Sequence, residues 1–384
     1  MKVLAIITTH PIQYNAPLFR ILTERQIIKP VVYYTWGKSV LASKFDPGFG
    51  KEIKWDIPLL GGYEYYFPEN TSKDPGSHHH NGIDNPGLIK SLEALDPDAI
   101  LVYGWNFKSH LAVMKHFKGR VPLLFRGDST LMKETGIRRF LKKLYLSAIY
   151  RHADYFLFAG TRNREYYEAS RIRKAQLFFM PHAVDNARFG SPGAGEVAKK
   201  LRMELGLHQG AMVYLYAGKI DPNKNVELLI RAFLQVDDLK TFLVIAGEGP
   251  SRKEIFEKYN RHPRIKFLPF QNQAEMPGVY RLGDVFVLPS LSETWGLAIN
   301  ESFACGRPVI CSDACGAAID LCKNGKTGFI FRSNDLGDLA AKMKALNDKD
   351  LALKMGEQAA QLVSAWNFET AAKTIEDATI HATS

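Results

Sequence analysis

Residues 285–301 read Val285-Phe286-Val287-Leu288-Pro289-Ser290-Leu291-Ser292-Glu293-Thr294-Trp295-Gly296-Leu297-Ala298-Ile299-Asn300-Glu301. The opening apolar run is typical of a buried strand. Leu297, Ala298 and other good helix formers follow, which predicts a helix that begins near Thr294 or Gly296. A strand that leads directly into a helix is the repeating unit of a parallel sheet covered by helices.

The same alternation of short apolar runs and longer amphipathic stretches extends through both halves of the chain. Strands are predicted at Val3–Thr8, Lys29–Tyr34, Ala99–Tyr103, Pro122–Phe125, Tyr155–Ala159, Gln176–Phe179, Met212–Ala217, Thr241–Ala246, Ile265–Phe267, Val285–Pro289 and Val309–Cys311. Helices in the first half are predicted at Ala16–Glu24, Pro86–Ala94 and Arg138–His152. The Pro/Gly-rich stretch Asp185–Gly195 is predicted to be a linker. We therefore expect an α/β protein with two Rossmann-like, doubly wound parallel-sheet domains facing across a cleft.

Length and composition limit the class of protein. A chain of 384 residues with 46% apolar and 23% charged residues is typical of a globular protein with two domains. No apolar run approaches the ~18–20 residues that cross a bilayer. The first ten residues suggest a buried strand rather than a signal peptide, so we expect a cytoplasmic protein.

The net charge of +10 predicts an anionic partner. Lys and Arg cluster between Lys133 and Lys174, and aromatic and aliphatic side chains interleave with them. One interpretation is a helix with a solvated basic face, and a second is peripheral contact with an anionic membrane. The sequence contains no nucleic-acid-binding motif, so we expect no nucleic acid partner.

Two clusters of potential metal ligands do not predict a metal site. The four cysteines lack a Cys-x-x-Cys pair, and no His lies among them. Three consecutive histidines, His78–His80, cannot all face one site in regular structure. We interpret them as part of a loop at the rim of the cleft.

The chemistry is expected after the carboxyl ends of the strands, where ligands bind in sheets of this type. The helix that begins near Gly296 would point its backbone N–H groups at a diphosphate, and a glycine there allows close approach. Glu293 and Glu301 could both reach one ligand and accept hydrogen bonds from its hydroxyl groups. An ordinary acidic helix start would explain Glu293 equally well, but it would not explain Glu301.

Two further loops follow predicted strands of the same sheet. Gly218, Lys219 and Lys224 come after Met212–Ala217, and two ammonium groups there could hold a departing diphosphate. Taken alone, this loop could also be a surface turn with solvated lysines. Gly247-Glu248-Gly249-Pro250 follows Thr241–Ala246 and is a weak signal by itself.

In order along the chain, these pieces resemble the retaining GT-B glycosyltransferases usually called family 4. The matched motifs are Met180-Pro181-His182-Ala183-Val184-Asp185, Gly218-Lys219 with Lys224, Gly247-Glu248-Gly249-Pro250, Glu293 with Glu301, Gly306-Arg307-Pro308-Val309-Ile310 and Asn324-Gly325-Lys326-Thr327-Gly328-Phe329.

The resemblance implies roles for the matched residues. Lys219, Lys224 and Glu293 would be catalytic, the lysines at the donor diphosphate and Glu293 at the donor sugar. Glu301 would bind the ribose. The remaining donor contacts would come from Gly218, Gly247, Trp295, Gly296 and Leu297, the last three through backbone amides. The family transfers sugar with retention of configuration and needs neither a metal ion nor another cofactor.

The first half resembles the family more loosely. His10 and Gln13 replace a Gly-Gly pair after the first strand, although a Pro-capped helix start explains this loop equally well. Arg126 and Asp128 stand where many members have a His. These residues are hypothetical acceptor contacts. We expect an acceptor-side domain over 1–187, completed by a final helix over about 367–384, and a donor domain over 188–366.

The sequence therefore predicts transfer of a sugar from a nucleoside-diphosphate sugar to a hydroxyl of a glycan, a lipid-linked glycan or a small metabolite. A dinucleotide-dependent oxidoreductase is the second hypothesis, but no Gly-x-Gly-x-x-Gly follows the first strand. A non-catalytic protein that binds sugar nucleotides or glycans is the third.

Overall fold

The computed structural model describes residues 1–38, 44–46, 51–131 and 145–384. These residues form two compact units. Unit 1 comprises Met1–Ser43, Pro58–His182 and Phe368–Ser384, and unit 2 comprises Lys44–Ile57 and Ala183–Asn367.

Unit 1 is built on a seven-stranded parallel sheet in the order β5-β2-β1-β6-β7-β8-β9. Its strands are β1 (Lys2–Thr8), β2 (Ile28–Tyr34), β5 (Glu64–Tyr66), β6 (Ala99–Tyr103), β7 (Leu123–Arg126), β8 (Tyr155–Phe158) and β9 (Leu177–Phe179). The central strands are buried and apolar over most of their length, which is the pattern of a parallel sheet that helices cover on both faces.

The helices of unit 1 come from both ends of the chain. They are α1 (Ala16–Arg25), α2 (Leu88–Leu95), α3 (Lys108–Phe117), α4 (Thr161–Ala169) and the final α14 (Phe368–Thr383). Arg25 joins α1 to α14, because its Nε donates to both carboxylate oxygens of buried Glu376 at 2.9 and 3.1 Å. Residues 145–150 are also helical, and the earlier part of the predicted helix Arg138–His152 lies outside the described residues.

Unit 2 contains a six-stranded parallel sheet in the order β12-β11-β10-β13-β14-β15. Its strands are β10 (Met212–Ala217), β11 (Thr241–Ala246), β12 (Ile265–Leu268), β13 (Val285–Leu288), β14 (Val309–Ser312) and β15 (Gly328–Phe331). A separate antiparallel pair, β3 (Lys44–Asp46) and β4 (Lys51–Ile53), also belongs to unit 2. The six-stranded order is that of a doubly wound Rossmann sheet.

Helices on both faces complete unit 2. They are α5 (Asn186–Phe189), α6 (Ala194–Glu204), α7 (Val226–Phe233), α8 (Arg252–Tyr259), α9 (Met276–Leu282), α10 (Leu297–Ala304), α11 (Ala318–Leu321), α12 (Leu336–Ala345) and α13 (Lys349–Val363). The segment Asp185–Gly195, which was predicted to be a linker, is therefore helical in part. It contains α5, whose start is capped by the Asp185 carboxylate accepting from Arg188 N at 2.9 Å.

The predicted fold class, two Rossmann-like parallel-sheet domains, is confirmed. The strands β6, β10 and β11 have the predicted bounds, and the other predicted strands differ by one residue at one end, or at both ends in the case of β7. The strands β3, β4, β5 and β15 were not predicted; β5 and β15 each lie at an edge of a parallel sheet, and β3 and β4 form the separate antiparallel pair.

Candidate functional site

The strand order of unit 2 reverses between β10 and β13. Sheets of this type bind ligands at such a point, beyond the carboxyl ends of the strands. The loops that follow these two strands contact each other directly. Asn223 Nδ2 donates to Ser292 O at 2.9 Å, and Leu291 N donates to Asn223 O at 2.8 Å. Residues far apart in sequence are therefore held side by side at the position where a sheet of this type binds ligands.

Lys224 and Glu293 form an ion pair at this reversal point. The ammonium group of Lys224 donates to Glu293 Oε1, and the Ser290 hydroxyl donates to the same oxygen at 2.7 Å. The side chains are only 22% and 15% exposed, respectively. Lys224 is therefore not a solvated surface lysine, and the structure brings together two residues that the sequence analysis placed in one site.

Glycines bring the neighbouring loops close together. Gly247, directly after β11, has a φ of 134°, and a Cβ built there would lie 1.9 Å from the carbonyl oxygen of Gly218. No side chain fits in that space, so the loops after β10 and β11 pack backbone against backbone. Ile220 N donates to Glu248 O at 2.8 Å across the same contact. Lys219 accepts a hydrogen bond from the Tyr216 hydroxyl through its carbonyl group.

The helix α10 begins at Leu297, within the region that the sequence predicted. Gly296 is the N-cap residue and has a φ of 98°, in the left-handed region that favours glycine. Trp295 is buried, its Nε1 donates to Asn300 Oδ1 at 2.9 Å, and its ring stacks on Trp366 at 5.1 Å. This packing fixes the start of the helix, whose N-terminal end favours anions.

Glu301 lies on α10 and is buried, with 6% of its surface exposed. Its Oε2 accepts a hydrogen bond from the Tyr280 hydroxyl at 2.6 Å. A carboxylate in this environment is held by a charge-assisted hydrogen bond. The sequence analysis did not find Tyr280, which lies on α9 and carries no motif of its own.

The four cysteines of the chain have free thiols and are buried. Burial raises the pKa of Cys305 and of Cys315 to about 12. These thiols stay protonated at neutral pH and pack as small apolar side chains.

In unit 1, Asp128 follows β7 and pairs with His182, whose Nε2 lies 3.0 Å from Asp128 Oδ1. Desolvation acts to raise the pKa of the Asp128 carboxyl, but the facing His182, with Arg126 nearby, holds this pKa below its usual range. The sequence analysis quoted His182 within a motif and missed its pairing with Asp128.

Arg126 is buried, and its Nη1 donates to the carbonyl groups of Leu157 and Met180 at 3.2 and 2.7 Å. The guanidinium therefore joins the ends of neighbouring strands. This position favours a supporting role over the direct acceptor contact that the sequence analysis gave to Arg126.

The other acceptor-side candidates lie in the loop after β1. His10 Nδ1 lies 2.8 Å from Thr9 Oγ1, and its ring meets Trp36 edge-on at 5.1 Å. Gln13 is partly buried shortly before α1, which has Pro17 in its first turn. Of the two interpretations of this loop, acceptor contacts and a Pro-capped helix start, the structure therefore shows the helix start.

The basic region 133–174 is only partly within the described residues, because Lys133, Arg138, Arg139, Lys142 and Lys143 lie outside them. Among its described residues, Arg162 and Arg164 face Glu165 and Glu168 at 3.7 and 3.9 Å. In the described parts of the chain, no helix has both the length and the apolar character needed to span a bilayer.

Comparison with solved structures identifies the fold. Anabaena HepE in complex with UDP and glucose superposes with a TM-score of 0.70 at 18% identity, over 98% of this chain and 99% of that chain. Sucrose-phosphate synthase from Thermosynechococcus elongatus gives a TM-score of 0.73 at 18% identity over the whole of both chains. The fold is therefore that of the GT-B glycosyltransferases.

The sequence of unit 2 is similar to known glycosyltransferase sequences. Residues 197–362 match the family model described as Glycosyl transferases group 1. A D-inositol 3-phosphate glycosyltransferase of Nocardia farcinica is 32% identical over 208 residues, which are 51% of this chain and 44% of that protein. The sulfoquinovosyl transferase SQD2 of Arabidopsis thaliana is 27% identical over 205 residues, 53% of this chain and 39% of that protein. The matches span less than half of the length of these two relatives.

Proposed function

We propose that this protein is a retaining glycosyltransferase that moves a sugar from a nucleoside-diphosphate sugar to a hydroxyl acceptor without a metal ion. The pathway would be glycan, polysaccharide or glycolipid biosynthesis. The observation that carries the proposal is the Lys224–Glu293 pair at the strand-order reversal of unit 2. Neither a plain structural turn nor an acidic helix start would require both side chains to be partly buried and in contact.

The pair has the charges that transfer of a glycosyl group requires. When the bond to the sugar breaks, negative charge builds on the leaving diphosphate, and a fixed ammonium group stabilises it. Lys224, together with Lys219, would supply that charge. Glu293 would turn its carboxylate to the hydroxyl groups of the donor sugar, because a carboxylate accepts more than one hydrogen bond.

The remaining groups of the site fit the nucleotide. Gly218 and Gly247 carry no side chain where these two loops meet, so phosphate oxygens could approach the main chain there. Gly296 and Leu297 form the start of α10, where backbone amides bind phosphate. Glu301, held by Tyr280, would accept hydrogen bonds from the ribose.

The relatives agree with this choice of donor. HepE was solved with UDP and with UDP-glucose, and the curated relatives are named as glycosyltransferases. A UDP-sugar is therefore the first donor to test. The acceptor would be a glycan, a lipid-linked glycan or a small hydroxyl compound, with Asp128 and His182 as its contacts in unit 1.

The first experiment is a thermal-shift screen of UDP-, GDP-, ADP- and TDP-sugars, because a ligand that binds the folded state raises its stability. Transfer or hydrolysis of the best donor is then measured. The proposal fails if no nucleotide sugar binds or turns over. Binding without turnover would point to a non-catalytic sugar-nucleotide-binding protein, and a nicotinamide or flavin signal would point to an oxidoreductase.

Two substitutions test the assigned roles. We expect Lys224→Ala to lower kcat by about 10²–10³-fold, the loss typical for removal of one group that stabilises transition-state charge. Glu301→Ala should mainly weaken nucleotide binding. Lys253→Ala is the matched control, because its side chain is 86% exposed on α8. If Lys224→Ala behaves like this control, the diphosphate does not contact Lys224.

Stereochemistry and metal dependence need their own measurements. NMR of the first-formed product shows whether the anomeric configuration of the donor is kept. Transfer by protein treated with EDTA should equal transfer with added Mg²⁺ or Mn²⁺, since the lysines supply the positive charge. An inverted product, or an activity that EDTA abolishes and the added cation restores, would refute that part of the proposal.

A further inference from the structure

The loop between β5 and α2 in unit 1 is held in a closed shape by its own hydrogen bonds. Thr71 N donates to Asp84 O at 2.8 Å, and Gly76 N donates to Gly82 O at 3.0 Å. Asn70 Oδ1 accepts from the backbone of Ser72 at 3.1 Å and of Asp84 at 2.9 Å. The backbone of this loop, residues 71–84, is therefore fixed independently of any ligand.

This loop brings two of the three consecutive histidines onto one carboxylate. Asp74 Oδ2 lies 3.3 Å from His78 Nε2 and 3.1 Å from His79 Nε2. The third histidine, His80, turns elsewhere, with its Nδ1 3.0 Å from Asn106 O. The sequence analysis was right that all three cannot face one site, but it did not predict that two of them would converge.

The spacing of these three side chains is that of a metal-ligand set. A tetrahedral site with bonds of about 2.0–2.2 Å places neighbouring ligand atoms about 3.3–3.6 Å apart. Both Asp74-to-His distances lie close to that range, and all three ligand atoms fall within 4.8 Å of one another. Imidazole nitrogen and carboxylate oxygen are ligands that Zn²⁺ accepts together.

A glycine makes this arrangement possible. A Cβ built on Gly76 would lie 2.4 Å from His78 Nδ1, so a larger residue would push the imidazole away from Asp74. Gly82 likewise allows the two sides of the loop to meet, since its Cβ would lie 2.1 Å from Gly76 O. The loop is thus shaped so that His78 folds back over it.

We propose that Asp74, His78 and His79 bind one divalent transition-metal ion of the zinc type, with water in the remaining coordination positions. The site belongs to unit 1, whereas the proposed donor residues belong to unit 2, and sugar transfer does not require it. The ion would cross-link the loop on the acceptor side. Asn70 connects the loop to this side, because its Nδ2 donates to Gly82 O at 3.0 Å and to Trp36 O at 3.3 Å.

The test is titration of Zn²⁺ into the full-length chain by calorimetry, after EDTA treatment and removal of any purification tag. We expect one ion per chain. Asp74→Asn and His79→Ala should each weaken binding by at least about tenfold, as loss of one ligand requires. The side chains are exposed by 72% and 34%, so these variants should fold, and circular dichroism in EDTA checks that they do.

His80→Ala is the matched control, because it removes an adjacent histidine that faces away from the site. The affinity of this variant for Zn²⁺ should stay within twofold of the affinity of the unsubstituted chain. Failure to bind Zn²⁺ overturns the proposal. Equal loss of affinity from His80→Ala and His79→Ala also overturns it, because that result means binding by an unstructured run of histidines. Neither result affects the proposed function, because donor binding is measured separately, with nucleotide sugars in the presence of EDTA.

Discussion

The hydrogen bond from Tyr280 to Glu301 allows a test of the proposed donor site that begins with the stability of the chain itself. Tyr280 is almost fully buried, and its hydroxyl donates to a carboxylate that is itself 6% exposed. Tyr280→Phe removes one oxygen atom and keeps the ring, whose contacts with Phe189 and Phe286 at 5.8 and 5.2 Å remain. The change therefore removes the hydrogen bond to this buried carboxylate and keeps the packing of the ring.

The expected loss in the free energy of unfolding depends on whether the acceptor of the hydrogen bond is charged. A hydrogen bond to a charged group contributes about 1.5–3 kcal/mol, whereas a bond between neutral groups contributes about 0.5–1.5 kcal/mol. Tyr214 provides the neutral comparison, because its buried hydroxyl donates to the Met343 carbonyl at the same distance of 2.6 Å. We expect Tyr280→Phe to lower the free energy of unfolding by about 2 kcal/mol and Tyr214→Phe by about 1 kcal/mol.

Urea unfolding followed by circular dichroism measures both values, with separate transitions fitted where the two units unfold separately. The nucleotide found in the thermal-shift screen then supplies a second measurement. Tyr280→Phe should weaken its binding by about fivefold, since a less firmly held Glu301 loses about 1 kcal/mol of interaction with the ribose. Tyr214→Phe should leave nucleotide binding unchanged. The reasoning is refuted if the two variants lose equal stability and bind the nucleotide equally well.

Three further predictions concern other parts of the chain. Gly247→Ala should destabilise unit 2 by more than about 2 kcal/mol in urea unfolding, because its Cβ would collide with Gly218 O, whereas Gly193→Ala, with open space around it, should not. Burial lowers the pKa of His110 to about 4. As the pH is lowered, the unfolded chain therefore binds a proton at this histidine before the folded chain does. The contribution of neutral His110 to the free energy of unfolding is complete above about pH 6.5 and should fall by about 3 kcal/mol towards pH 4. His110→Gln should show a correspondingly smaller decline in the same titration. Finally, if the region 133–174 contacts membranes, the chain should sediment with anionic but not neutral vesicles, and added salt should release it; equal sedimentation with both would contradict this.

Most strands were predictable because they are buried on both faces. Strands such as β10 and β11 read as continuous apolar runs, which is the pattern of a parallel sheet under two layers of helices. Two of the strands that were not predicted, β5 and β15, lack this pattern. β5 has only three residues, all partly or fully exposed, and β15 starts at Gly328, which sequence patterns treat as a break. Pairing with a neighbouring strand, rather than local sequence, makes these segments extended.

The residues of the candidate site that follow strands were predictable from the sequence. Gly218, Lys224 and Glu293 lie in the loops that follow β10 and β13, so strand position alone placed them at one edge of the sheet. Pairings between distant side chains were not predictable in this way. The Tyr280–Glu301 bond joins two helices, and Asp128 meets His182 from another part of the chain. Such contacts depend on how the elements pack, which periodicity does not describe.

The Lys224–Glu293 pair, 69 residues apart in sequence, gives the proposed donor site a property that neither residue has alone. Each side chain is partly buried, so each charge is stabilised in the absence of a ligand by the other. Under the proposed function, a bound diphosphate would compete with Glu293 for the ammonium group, and the released carboxylate would be free to accept hydrogen bonds from the sugar. Diphosphate and sugar would then be bound in a coupled way. A free diphosphate would break the ion pair without the compensating sugar contacts, so the intact donor would fit the site better than either of its parts.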